Sequence, residues 1–89
     1  MMLKDVYELV KAEVEELSKC HPDKDYKRGT ALSKAIDEKL EDIYDEDIVD
    51  RDKEGHKLLR YIEQVQDKFA RRCFKVDIKL EDIDLNKEV

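Results

Sequence analysis

The chain has 89 residues, 47% charged and 40% hydrophobic, with 18 basic and 24 acidic groups and a net charge of −6. That length fits one small domain with a thin core, and the acidic balance argues against wholesale attraction to nucleic acid or to an anionic membrane. Two glycines and one proline leave few helix breakers, so the composition favours long helices over a strand-and-turn fold. No apolar run approaches the ~20 residues of a membrane span. Met1 to Asp5 contain no apolar signal core, and two cysteines make no disulfide framework. The expectation is a cytoplasmic protein with reduced thiols.

In the first segment Leu3, Tyr7, Val10, Val14 and Leu17 recur at spacings of four and three, with Val6 beside them. The spacing predicts a helix from about Leu3 to Lys19 with one apolar stripe. His21-Pro22-Asp23-Lys24-Asp25 should end it, because proline cannot continue a helix and aspartate favours a turn or an N-cap. A second helix begins near Asp25 or only at Thr30, since Gly29 weakens its early part. Its stripe is Leu32, Ile36, Leu40 and Ile43, with Ala35 and Tyr44 on the flanks, and it fades in Asp45-Glu46-Asp47. A third helix runs from near Asp52 to about Cys73, with Leu58, Ile62, Val65, Phe69 and Cys73 as its apolar face. From Phe74 to Leu80 apolar and polar residues alternate strictly, a period-two strand signal. Ile83 and Leu85 follow as a shorter apolar pair. The expected fold is mainly α: a three-helix antiparallel bundle over residues 1–73 with a short C-terminal β-strand or extended arm over 74–89. A lone strand cannot satisfy its own backbone, so the arm needs a partner from its own tail, a second copy or another protein.

Charge is distributed unevenly. Residues 1–52 carry 9 basic and 16 acidic groups, residues 53–79 carry 8 and 4, and residues 80–89 carry 1 and 4. On the third helix Lys53, Lys57, Arg60, Lys68, Arg71 and Lys75 fall within an arc of ~80°, with Gln64 filling the one gap, and the arc centre lies ~140° from the apolar stripe. This basic edge suits an acidic protein or a row of phosphates. It also suits plain pairing with the acidic second helix, where Asp37, Glu38, Glu41 and Asp42 lead into further carboxylates. No aromatic residue interleaves the cations, so base stacking has no support. The alternating arm offers Phe74, Val76, Ile78 and Leu80 as a strand that could add to a partner's sheet.

Several shorter patterns bear on chemistry. His21-Pro22-Asp23 after a helix resembles the signature loop of J-domain co-chaperones, which implies a loop between two helices that engages a heat-shock chaperone. The resemblance covers three residues, and the helix before it carries Glu13, Glu15 and Glu16 where that family's is basic. Asp50-Arg51-Asp52-Lys53-Glu54-Gly55 resembles the first half of an EF-hand calcium loop. Lys57 stands where a hydrophobic residue belongs, and Tyr61 where the closing carboxylate belongs. Capping of the third helix by Asp50 or Asp52 explains those residues more simply. Glu13, Glu16, Glu38 and Glu41 invite comparison with the all-α nucleotide pyrophosphohydrolases, but Lys19 replaces a carboxylate of their motif, and Glu16 and Glu38 point away from the apolar stripes. Cys20, His21, His56 and Cys73 lack zinc-finger spacing. In an up-down-up bundle Cys20 and Cys73 would sit at the same end and His56 at the other, which excludes a four-ligand site and allows a Cys20–Cys73 disulfide in an oxidising compartment.

These readings favour a protein-binding module that acts stoichiometrically and without catalysis, as a regulator, inhibitor, antitoxin or immunity-type partner. It would use no cofactor or metal and would pair with another protein or with itself as a homodimer. Nucleic-acid binding through the basic edge and a divalent-metal-dependent helical enzyme are the alternatives.

Overall fold

The structure, a computed structural model, describes residues 2–46, 53–71 and 78–88, with backbone alone for 42–46. The described residues form three α-helices, α1 (Leu3–Lys19), α2 (Tyr26–Glu46) and α3 (Lys53–Phe69), and one turn of 3-10 helix at Leu80–Asp82. α1 packs against both α2 and α3. All six expected apolar positions of α1, from Leu3 to Leu17, are buried. Ile36 and Leu40 of α2 and Leu58, Ile62 and Val65 of α3 join them in one cluster. Leu59, outside the expected stripe, is buried as well. Tyr7 meets Tyr61 edge-on, with ring centroids 6.5 Å apart. Burial, with Tyr61 beside it, pushes the Tyr7 hydroxyl up to about 12. That phenol therefore stays neutral and serves as core.

Polar contacts fix how the helices sit together. Arg28 pairs with Glu16 and Lys39 with Glu13, joining α2 to α1. Between α3 and α2 the Gln66 amide nitrogen reaches the Ser33 carbonyl at 3.2 Å, its hydroxyl at 3.1 Å and Asp37 Oδ1 at 2.9 Å. Gly29 is buried under Phe69, where a Cβ would fall 2.1 Å from the ring. The residue read from sequence as a weakness in α2 is therefore the seat for an aromatic ring.

The α1–α2 connection is built as a helix start. His21 accepts the N–H of Asp23 at 3.1 Å and of Lys24 at 3.2 Å on Nδ1, as an N-cap side chain does. Pro22 follows in the turn before α2, where its lack of an N–H leaves no backbone donor to satisfy. The Asp25 N–H donates to the His21 carbonyl at 3.0 Å, and the Gly29 N–H to the Asp25 carbonyl at 2.8 Å, carrying the helical pattern into α2. Asp25 Oδ2 in turn accepts the His21 N–H at 2.8 Å.

α3 closes at Phe69, before the expected end at Cys73. Arg71 adopts a left-handed conformation with φ 60°, which turns the chain out of the helical path. Residues 72–77, which hold most of the expected strand, lie outside the described residues. Within residues 78–88 no strand forms. Ile83 is buried in the core, while Ile78, Leu80 and Leu85 pack partly against it. Two tail carbonyls cap α1: the Leu3 N–H donates to Lys87 at 2.9 Å and the Lys4 N–H to Leu85 at 2.8 Å. Those are orphan donors of a helix's first turn, and a single antiparallel bridge joins Met2 to Glu88. Within residues 78–88, backbone groups of Ile78, Asp84, Leu85 and Lys87 are thus met by side chains of α3 and by the start of α1.

Candidate functional site

The two features singled out from the sequence, the basic edge of α3 and the C-terminal arm, meet in the structure. Gln64, at the centre of the edge, is only 3% exposed. Its amide nitrogen donates to the Ile78 carbonyl at 3.1 Å, and its Oε1 accepts the Ile78 N–H at 2.8 Å. That two-bond pattern is what a neighbouring strand would offer one residue of the tail. Ten residues earlier on α3, Glu54 Oε2 accepts the Asp84 N–H at 3.1 Å, while Oε1 meets Lys57 Nζ at 3.2 Å. The described tail therefore spans the α3 edge from Gln64 to Glu54 and continues to the start of α1.

Electrostatics agree with this placement. The tail over residues 80–89 is acidic and the segment 53–79 is basic. The backbone N–H of Asp84, and after it Lys57, hold the Glu54 carboxyl below the usual carboxylate range. Glu13 is held low in the same way by Lys39, against a smaller opposing effect of burial. Both groups are therefore charged acceptors at neutral pH.

The remaining edge residues are placed as follows. Lys53 is exposed at the first position of α3. Arg60 is exposed and lies 3.9 Å from Glu63. Lys68 is exposed and borders a groove with Leu17, Tyr61, Ile78 and Leu80. Arg71 stands beyond the helix and pairs with Asp23 of the α1–α2 turn. Lys75, Phe74 and Val76 lie outside the described residues. Ile78 and Leu80 of the arm are half-buried against the protein's own core. Among the described residues no three or more His, Cys, Asp or Glu side chains are grouped as metal ligands. Cys20 donates its thiol to the Glu16 carbonyl at 3.3 Å.

A second groove, of about 590 Å³, separates α2 from α3 and is lined among others by Pro22, Asp23, Tyr26, Phe69 and Arg71. Tyr26 is 64% exposed at its rim. Sequence reasoning missed the Gln64 clamp because helical spacing puts Gln64 on the polar side. The tail, arriving from 14 residues further on, takes both polar groups of its amide. It also missed the His21 cap, although proline directly after a polar residue and a run of aspartates was a usable signal.

Among the described residues no helix is long and apolar enough to cross a membrane. Comparison with protein-family models, with curated proteins and with solved structures finds no match to this chain.

Proposed function

We propose that this chain is a non-catalytic, stoichiometric protein-binding module whose working surface is the α3 edge and the arm lying on it. In this reading the three helices form an antiparallel bundle, and the arm is an extended ligand-like segment. The observation that carries the proposal is the paired hydrogen bonding of Gln64 to the Ile78 backbone. A side chain that holds a main chain through both of its polar groups, flanked by cations, suits an extended segment with alternating apolar and acidic residues. The protein's own tail, Ile78-Lys79-Leu80-Glu81-Asp82-Ile83-Asp84, mixes apolar and acidic residues in that way, with Lys79 as its cation and a 3-10 turn at Leu80–Asp82. Another protein's segment, or the arm of a second copy, would use the same contacts, with charge attraction speeding the encounter.

Affinity purification from the native host, with mass spectrometry and solution mass on the same sample, tests the proposal. A partner in fixed ratio, or a dimer, that is lost when Lys57 and Arg60 are both changed to Glu supports it. A monomer that co-purifies with nothing at low salt sinks it. Recovery that vanishes on nuclease treatment would replace the protein partner by nucleic acid.

A further inference from the structure

The C-terminal segment is held in two unequal halves. Downstream, Ile83 is buried in the core, and the carbonyls of Leu85 and Lys87 accept the Lys4 and Leu3 N–H groups at 2.8 and 2.9 Å. Asp84 adds its N–H to Glu54 Oε2 at 3.1 Å. Upstream, Ile78 and Leu80 are only partly buried, while Lys79, Glu81 and Asp82 are exposed. Among the described residues, one side chain ties 78–82 to a helix by hydrogen bonds: Gln64 accepts the Ile78 N–H at 2.8 Å and donates to its carbonyl at 3.1 Å. Between the halves the 3-10 turn closes on itself, with the Asp82 N–H on the Lys79 carbonyl at 3.0 Å and the Ile83 N–H on the Leu80 carbonyl at 3.1 Å. Those bonds are local and do not depend on Gln64.

A segment tied by few buried contacts opens locally more readily than one built into the core. Lifting residues 78–80 exposes the Gln64 amide and uncovers Tyr61, Val65 and Phe69, which line the same groove as Ile78 and Leu80. The charged residues lining that groove, among those described, are Lys68 and Lys79, so it suits an incoming segment of apolar and acidic side chains. We infer that residues 78–82 are a resident competitor for the α3 edge: they lift from Gln64 to admit another protein's apolar and acidic segment, while Ile83 keeps the tail anchored. This rests on the α3 edge being the working surface proposed above, and it names how that surface is regulated. A site filled by its own chain binds a partner only in the fraction of molecules where the segment is lifted, and apparent affinity falls by that fraction. Tethering holds the competitor at a local concentration of about millimolar, so a partner displaces it with better apolar anchors or with a second contact elsewhere.

The test uses the full chain and, as probe, a fluorescent synthetic peptide copying Ile78–Asp84. Ile78→Ser with Leu80→Ser weakens the resident segment while Ile83 and the contacts with α1 stay in place. Fluorescence anisotropy should show this double variant binding the peptide at least about tenfold more tightly than the wild-type chain does, and Gln64→Leu added to it should remove the gain. Equal affinities in the two chains, or binding by neither, overturn the inference. Native-state hydrogen exchange in the unaltered chain gives a second reading. The Ile78 amide should exchange at least about tenfold faster than the Leu3 and Lys4 amides after correction for intrinsic rates. Equal protection means that the tail lifts only as a whole, which also overturns the inference. The binding-module reading fails separately. A host partner recovered equally by wild type and double variant overturns the competitor and leaves that reading standing, whereas peptide binding gained with no host partner upholds the competitor and sinks the reading.

Discussion

An alanine at position 29 would bring its Cβ to 2.1 Å from the tip of the Phe69 ring, a separation no real pair of carbons adopts. Helix propensity alone favours alanine over glycine by about 1 kcal/mol, whereas forcing a packed ring aside costs about 1–3 kcal/mol. Gly29→Ala should therefore lower stability by about 1 kcal/mol in urea denaturation, the opposite sign to the propensity scale. Pairing it with Phe69→Leu should recover most of that loss, and a double variant no better than the sum of its parts would disprove the contact. Gln64 makes a second case at the same scale. Replacing it by leucine fills the space but strands the N–H and the carbonyl of Ile78, which the amide now satisfies. Leaving such groups unmet costs about 1–3 kcal/mol, and Gln64→Leu should show that loss as earlier chemical denaturation. An unchanged midpoint would mean that water serves Ile78 as well as Gln64 does.

Helix by helix, the apolar rhythm was a sound guide. Six positions in α1 recur every three or four residues, and all six are buried; little else in a chain so rich in charge could form a core. The helix ends were less legible. α3 stops because Arg71 takes a left-handed conformation, which a side-chain pattern does not encode. The tail was read as a strand in need of a partner; most of that stretch lies outside the described residues, and residues 78–88 form no strand. Residues 78–88 instead bond to Gln64, Glu54 and the first turn of α1, contacts set by the return of a distant segment and invisible to a local window. The pairing of tail to α3 has a pH signature. Glu54 is held below its ordinary value of 4.5, first by the Asp84 N–H and then by Lys57. A depressed carboxyl contributes stability that is present above its unfolded value and lost as pH falls through the folded one. Acid below pH 4.5 should thus raise hydrogen exchange at Asp84 before the helices open. Glu54→Gln, which keeps an oxygen acceptor but no charge, should abolish that acid response; if Asp84 still deprotects in step with acid, the Glu54 contact is not its cause.

At the scale of the whole chain, the last ten residues decide whether the structure is three helices with an appendage or one cooperative unit. Ile83 is 6% exposed and belongs to the same cluster as Leu3, Leu17, Ile36 and Ile62. Two further tail carbonyls complete the hydrogen bonding of α1. A domain of this size has little burial to spare, so a contact made by the tail should be felt throughout. Ile83→Ala removes buried carbons and leaves a cavity, at a cost of about 2–4 kcal/mol. If the tail belongs to the core, the helical signal in far-ultraviolet circular dichroism should shift to lower denaturant by that amount, in a single transition with an unchanged slope. If the tail is only a strap, the helical transition would stay where it is and only the exchange of residues 78–88 would rise. The second outcome would also free the α3 edge without disturbing the bundle. Ile83→Ala therefore separates a tail that builds the binding surface from one that merely covers it.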